Sequence, residues 1–104
     1  MNTPQLTTES IDDATAQRLA EVFEALSDKT RLKIISVLAH QELVVGEVAR
    51  LVGISESAVS HQLRLLRASR IVRFRKDGRQ VFYTLDDQHV HDLFDRALEH
   101  IEHE

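Results

Sequence analysis

The sequence predicts a mainly α-helical domain that carries one β-hairpin. Apolar residues recur at helical spacing through most of the 104-residue chain. Between Ile71 and Leu85 they alternate instead, and the Asp77-Gly78 pair divides this stretch into two short runs, which is a strong hairpin signal. The chain has no Cys or Trp, so aliphatic side chains must fill the core. At this length we expect a single domain.

Capping residues place the first two helices. Asp12 or Asp13 can cap a helix that ends near Ser27, because short polar side chains accept hydrogen bonds from the unpaired N–H groups of a first turn. Asp28 can then cap a second helix that ends near His40. These positions predict two helices that follow one another directly.

Three further helices follow from the same signals. The third is expected over residues 45–52 and is terminated by Gly53, which adopts a left-handed backbone at little steric cost. Ser55 can cap the fourth helix, and the last helix runs from about Asp87 to Glu102. The hairpin lies between the fourth and the last helix.

The domain boundaries are expected near the amino terminus. Residues 1–10 are polar with nothing to bury, so we expect a disordered N-terminal arm, and residues 11–104 form the folded domain. The arm has neither the basic start nor the apolar stretch of a signal peptide, and no apolar run reaches membrane length. We therefore expect a cytoplasmic protein without a membrane partner.

Charge is strongly polarised along the chain. The formal net charge is −4, yet residues 60–80 hold seven Lys or Arg and one acidic residue. Residues 86–104 hold seven acidic residues and one Arg. The overall negative charge therefore does not exclude nucleic acid, because the middle of the chain is a separate basic region.

The fourth helix and the hairpin together predict a DNA-binding surface. Val59, Leu63 and Leu66 share one helix face and are expected to be buried. A basic patch alone can be an ordinary solvated surface. The order of a helix, a Gly turn, a Ser-capped polar helix and a basic hairpin predicts a winged helix-turn-helix, which binds duplex DNA. The expected DNA contacts are Ser55, Ser57, Ser60, His61, Gln62, Arg64, Arg73, Arg75, Lys76 and Arg79.

The last helix carries candidate metal ligands at both ends. Asp87 and His89 lie at its start, and His100 and His103 lie one turn apart near its end. One straight helix separates His89 from His100 by roughly 16 Å along its axis, so it cannot close the four ligands on one ion. Two copies paired antiparallel would form two sites with one oxygen and three nitrogen ligands, suited to tetrahedral zinc or cobalt. These residues could equally be the solvated face of an amphipathic helix.

Two other histidines fall outside this set. His91 lies about 200° around the helix from His89, so we expect it to face solvent or to pair with Asp95 one turn later. His40 is expected at a helix end, near the last carbonyl groups. Neither position indicates a shared metal.

Four motifs carry a family resemblance over residues 19–104. They are Ala25-Leu26-Ser27-Asp28-Lys29-Thr30-Arg31-Leu32, Ser55-Glu56-Ser57-Ala58-Val59-Ser60-His61-Gln62-Leu63, Lys76-Asp77-Gly78-Arg79, and Asp87-x-His89 followed by His100-x-x-His103. With these motifs the chain resembles the ArsR/SmtB family of bacterial metal-sensing repressors. The resemblance implies a winged-helix homodimer that binds an inverted-repeat operator when metal-free. Metal binding would release the operator and derepress genes for metal efflux or sequestration.

The resemblance also implies roles for individual residues. It is closest to zinc sensors with a site on the last helix, which assigns Asp87, His89, His100 and His103 as ligands. In similar sensors the residue equivalent to His100 donates its second N–H to a backbone carbonyl after the recognition helix, here that of Arg70. This contact would couple the metal to the DNA-reading element.

This chain departs from some family members on the third helix, and the departure limits which metal ligands are possible. Residues 42–47 contain no cysteine, so the thiolate site that some family members carry on the third helix is excluded. Cobalt or nickel remain alternatives to zinc, as do a purely structural metal and a different signal. Four protein ligands leave no open position for a reacting water, so we expect no enzymatic activity.

Overall fold

The computed structural model describes residues 9–103, which form five helices and one hairpin. The elements are α1 (Asp13–Leu26), α2 (Lys29–Leu38), α3 (Val45–Val52), α4 (Glu56–Ala68), β1 (Val72–Asp77), β2 (Gln80–Leu85) and α5 (Gln88–Glu102). The predicted arm falls mainly on residues 1–8, which lie outside the described residues. Across residues 9–103, no helix is both long and apolar enough to cross a membrane.

Capping side chains set the helix boundaries. Asp12, Asp28, Ser55 and Asp87 each precede a helix, and each side chain accepts a hydrogen bond from the N–H three residues later, at 2.7 to 3.1 Å. Gly53 ends α3 with a φ of 82°, in the left-handed region as predicted. The helix bounds expected from the sequence are therefore confirmed to within one or two residues.

The core lies where α2, α3 and α4 pack together beneath the hairpin. Its fully buried side chains are aliphatic, as the composition predicts. Within residues 9–103 no polar or charged residue is buried. Close packing of three short helices fixes how α4 is presented to solvent. The fully buried side chains are Ile34, Ile35, Leu38, Val48, Val59, Leu63 and Leu66.

The hairpin turn differs by one residue from the turn expected at Asp77-Gly78. Asp77 pairs with Gln80 as the last rung of the antiparallel ladder, so Gly78 and Arg79 are the two central turn residues. Gly78 has a φ of 63°, and Arg79 has no positive φ. A positive φ at the first central position alone is the pattern of a type II′ turn, which needs Gly there. Asp77 therefore belongs to β1 and not to the turn.

A backbone bridge joins the hairpin to the α2–α3 connection. The Leu43 N–H donates to the Tyr83 carbonyl at 3.0 Å, and the Tyr83 N–H donates to the Leu43 carbonyl at 2.8 Å. The hairpin is therefore attached to the helical core through main-chain hydrogen bonds as well as through its covalent ends. This bridge was not predicted from the sequence.

Helix α5 leaves its apolar stripe incompletely covered in a single chain. Val90 and Phe94 pack against the core, but no α5 residue is buried. Leu98 is 40% exposed and Ile101 is 59% exposed, and Phe23 on α1 is 56% exposed. Large apolar side chains clustered on terminal helices indicate a surface that associates with another apolar surface.

Candidate functional site

Helix α4 presents a polar face opposite its buried one. Ser57, Ser60, His61 and Arg64 are all exposed, and Ser55 caps the helix through its hydroxyl. The apolar face anchors the helix, so these short donors and acceptors and one long cation project together. This is the arrangement that a recognition helix needs to reach base edges and phosphates.

The hairpin forms a basic wing beside α4. Arg73, Arg75, Lys76 and Arg79 are exposed on the strands and the turn. On the other side of the wing, the Arg67 guanidinium of α4 lies 4.1 Å from the Phe74 ring centroid. This cation–π contact joins α4 to the wing. The basic residues of the helix and those of the wing therefore lie on two elements that are in contact, where both sets can meet DNA phosphates.

Two predicted DNA contacts are engaged within the protein. Gln62 is half-buried, and its Oε1 accepts a hydrogen bond from Arg31 Nε on α2 at 2.8 Å. Arg75 Nε donates to a Glu42 carboxylate oxygen at 2.7 Å. Arg31 and Glu42 were not predicted as partners, because each lies more than 30 positions from the residue it contacts.

The Arg75 guanidinium is held from two directions. Besides the Glu42 carboxylate, the Phe82 ring lies 4.6 Å from its central carbon. The hydrogen bond to Glu42 raises the pKa of Arg75 above its already high ordinary value. The charge is thus permanent, but a neighbouring carboxylate screens it from DNA phosphates.

We expect Glu42→Gln to strengthen DNA binding. Removing the carboxylate charge frees Arg75 for a phosphate, which raises affinity about three- to tenfold and steepens the salt dependence by about one counterion. Fluorescence anisotropy of a labelled duplex across a salt series measures both quantities.

Glu47→Gln is the matched control for this change. Glu47 forms a 2.7 Å ion pair with Arg50 on α3, so the variant removes the same charge without releasing a wing arginine. Its affinity and salt slope should stay near wild type. An equal gain in both variants would contradict the specific role of Glu42 and indicate a general charge effect.

The start of α5 places one oxygen and one nitrogen ligand together. Asp87 Oδ1 accepts the capping hydrogen bond from the Val90 N–H at 3.1 Å, and His89 Nδ1 lies 3.5 Å from Asp87 Oδ2. Two ligand atoms on one tetrahedral zinc are about 3.3 Å apart. The Val90 hydrogen bond, aided by His89, lowers the pKa of Asp87, which keeps the carboxylate ionised. The pair therefore fits one divalent cation.

The end of α5 places two imidazoles beside one shallow depression. His100 and His103 line it together with Arg96 and Glu99. His103 Nδ1 lies 2.8 Å from the Glu99 carbonyl oxygen, which can only accept, so the ring carries its proton on Nδ1. Its Nε2 lone pair remains available to a metal, as in sites where a backbone carbonyl orients the ligand.

One chain brings the candidate ligands together only as two separate pairs. In the described part of a single chain, residues 9–103, no three His, Cys, Asp or Glu side chains form a group that could hold a metal. The Asp87–His89 pair lies at the start of α5 and the His100–His103 pair at its end. Closing a four-ligand set therefore requires a second chain.

His91 stands apart from these pairs. Its Nδ1 lies 3.0 Å from an Asp95 carboxylate oxygen, the pairing that the sequence predicts, although the direction does not fit a hydrogen bond. The His40 ring meets the His91 ring edge-on, with 6.0 Å between centroids. His91 thus links α5 to the end of α2.

Arg70 lies in the turn directly after α4. Its φ of 57° is the only positive value among the described non-glycine residues, and its N–H donates to the Arg67 carbonyl at 2.9 Å. The left-handed conformation turns the chain sharply from α4 into β1. The backbone of Arg70 is thus attached directly to the recognition helix.

The chain is similar in sequence to known bacterial regulatory proteins. The model of the arsR family of bacterial regulatory proteins matches residues 28–73. A transcriptional repressor SmtB homolog of Synechocystis sp. is 49% identical over 87 residues, which cover 84% of this chain and 66% of that protein. A cadmium resistance transcriptional regulatory protein CadC homolog of Staphylococcus aureus is 47% identical over 83 residues, which cover 79% of this chain and 69% of that protein.

A solved structure shares the whole architecture. The homodimeric winged helix-turn-helix DNA-binding domain of Mb0332 from Mycobacterium bovis superimposes with a TM-score of 0.82 at 26% identity, covering 91% of each chain. The two sequence relatives are transcriptional regulatory proteins and not enzymes, and the Mb0332 domain is a possible ArsR-family transcriptional regulator. Sequence identity over most of the chain and the observed helix-turn-helix with its wing show that this chain belongs to the ArsR/SmtB family of winged-helix transcriptional regulators.

Proposed function

We propose that the protein is a zinc-responsive repressor whose homodimer binds an inverted-repeat operator when metal-free and releases it when zinc binds. The observation that carries the proposal is the 3.5 Å separation of Asp87 Oδ2 and His89 Nδ1, which matches two ligands of one tetrahedral ion. Operator binding would place the protein in the cytoplasm with the bacterial DNA. Release of the operator on zinc binding would derepress genes for metal efflux or sequestration.

The homodimer would form through the terminal helices. The exposed apolar side chains of α5 and α1 supply a surface that needs a partner, and the similar Mb0332 domain is homodimeric. An antiparallel pairing across a twofold axis sets the start of one α5 beside the end of the other. Two recognition helices then face two operator half-sites.

The dimer would complete two identical metal sites. Asp87 and His89 of one chain would hold the ion together with His100 and His103 of the other. When bound, the cation supplies a strong link between the two α5 helices. One carboxylate and three imidazoles favour zinc, and they also accept cobalt or nickel. The CadC homolog's name refers to cadmium resistance, but this chain has no thiolate to offer a soft metal.

His100 would couple the site to DNA. One ring nitrogen would bind metal while the other donates its N–H to the carbonyl of Arg70, at the end of the recognition helix. This bond favours one orientation of α4. Metal needs only to bind the DNA-incompetent arrangement more tightly for the operator to be released, and a coupling of about 1–3 kcal/mol suffices.

The test of the site is a cobalt titration of the purified protein. We expect intense visible ligand-field bands that saturate at one ion per chain and disappear when zinc is added, as a tetrahedral site requires. A weak octahedral spectrum would favour nickel. No spectrum at all would count against a metal site on α5.

The test of the switch compares operator affinity with and without zinc. A duplex is first selected from a random pool by the metal-free protein, and anisotropy then measures its affinity. We expect zinc to weaken binding at least about tenfold. Unchanged affinity with a bound ion would mean that the metal only stabilises the dimer.

A further inference from the structure

Arg31 connects three helices through one guanidinium. Its Nε donates to Gln62 Oε1 on α4 at 2.8 Å, and its Nη1 donates to the Ala25 carbonyl in the last turn of α1 at 3.4 Å. The Arg31 backbone N–H meanwhile donates to the Asp28 cap of α2 at 3.0 Å. All three contacts are partly buried, so solvent screens them less than the wing ion pair.

The Arg31 contact changes what Gln62 can do. A glutamine that recognises adenine uses its amide oxygen and its amide nitrogen together, as acceptor and donor. In this structure the oxygen already accepts from Arg31, and the side chain is half-buried while its neighbours His61 and Arg64 are exposed. Bidentate reading by Gln62 would have to use the second lone pair of an oxygen that Arg31 already orients, on a side chain that is half-buried.

The apolar contacts of α4 leave a need for such a bond. Val59, Leu63 and Leu66 bury one face of α4 and so set which face meets solvent, but non-directional packing does not by itself fix the exact rotation of the helix. A planar guanidinium with donors in a fixed fork imposes direction. Because Arg31 also binds the end of α1, it ties the rotation of α4 to the α1–α2 junction.

We propose that Arg31 is a positioning residue for operator recognition, and that Gln62 receives this brace and does not read a base. The inference rests on the proposed operator binding. In this proposal the hydrogen bond of Gln62 orients α4, and with it the exposed residues Ser57, Ser60 and His61 on the same helix.

The first test uses Arg31→Ala, Gln62→Ala and the double variant with the selected operator and duplexes that change one base pair at a time. Each single variant should lose about five- to tenfold in operator affinity, and the double variant should lose no more than either one. Both should show the same altered base-preference profile. Additive losses, or a preference relaxed at one base pair in Gln62→Ala alone, would overturn the proposal.

Two further variants separate position from charge. Arg31→Lys keeps the positive charge but cannot bind two acceptors in fixed directions, so it should behave like Arg31→Ala. Full activity of Arg31→Lys would show that only charge matters. Arg50→Ala removes another arginine of the helix-turn-helix, one paired with Glu47 on the surface, and should keep the wild-type profile.

A measurement without DNA keeps the proposal independent of the operator. Amide hydrogen exchange should show faster exchange in α4 for both Arg31→Ala and Gln62→Ala, with α3 unchanged. Unchanged exchange in α4 would overturn the brace even if the variants bind DNA poorly. If the wild-type protein selects no preferred duplex, operator binding itself fails, and this exchange experiment still decides whether Arg31 braces α4.

Discussion

Replacing His100 with asparagine should abolish the zinc response while leaving metal-free operator binding intact. The His100 side chain would be both a metal ligand and the hydrogen-bond donor to the Arg70 carbonyl. One substitution therefore removes a ligand from the metal site and the connection between that site and α4. We expect zinc to change operator affinity by at least about tenfold in the wild type and by less than about twofold in the variant. Anisotropy with and without zinc measures both.

The control for this variant is His91→Asn on the same helix. His91 faces Asp95 and His40 and lies outside the proposed ligand set, so its zinc response should persist. A cobalt spectrum of each variant shows whether it has lost metal binding itself or only the effect of bound metal on operator affinity. Release of the His100→Asn variant by zinc would refute the coupling scheme.

Replacing Leu98 with aspartate should convert the dimer to a monomer and cost more than about 100-fold in operator affinity. Leu98 is 40% exposed in one chain, so the domain should still fold alone. In a dimer the new carboxylate would be buried against apolar surface without a partner. Loss of the dimer also removes the gain from binding two half-sites at once. Sedimentation velocity and anisotropy measure the two effects.

Leu51→Asp is the matched control for the dimer interface. Leu51 is 44% exposed and lies on α3, away from the terminal helices, so the same chemical change there should leave the dimer intact. Dissociation by both variants would point to general destabilisation. A dimeric Leu98→Asp protein would mean that α5 does not form the interface.

Local signals were sufficient to predict the helices. Asp12, Asp28, Ser55 and Asp87 each satisfy a backbone N–H three positions away, so the information lies within one turn of sequence. The winged-helix fold followed from these elements and their order, the family resemblance followed from four sequence motifs, and both are confirmed. The turn at Gly78 was misplaced by one residue because an Asp-Gly pair suits two different turn registers.

Contacts between distant residues could not be predicted in the same way. The Arg31–Gln62 and Arg75–Glu42 pairs depend on how helices and hairpin pack, and no periodicity in the sequence encodes which surface side chains meet. The four proposed metal ligands likewise could not be placed together from the sequence, because the Asp87–His89 and His100–His103 pairs lie at opposite ends of α5. For Asp87 and His89 the spacing was sufficient to predict that the side chains lie close together, because the helix cap brings them together, and their role as metal ligands stays a prediction.

The bridge between Leu43 and Tyr83 determines how the wing can move. A hairpin attached only by its two covalent ends could swing like a flap, whereas two additional main-chain hydrogen bonds anchor β2 to the segment between α2 and α3. The wing and the helix-turn-helix therefore form one stiff body. In the proposed homodimer, a rearrangement of the terminal helices would change the angle and the distance between the two rigid DNA-binding units. The protein would therefore respond to the distance between the two operator half-sites, and not through a movement of the wing within one half-site.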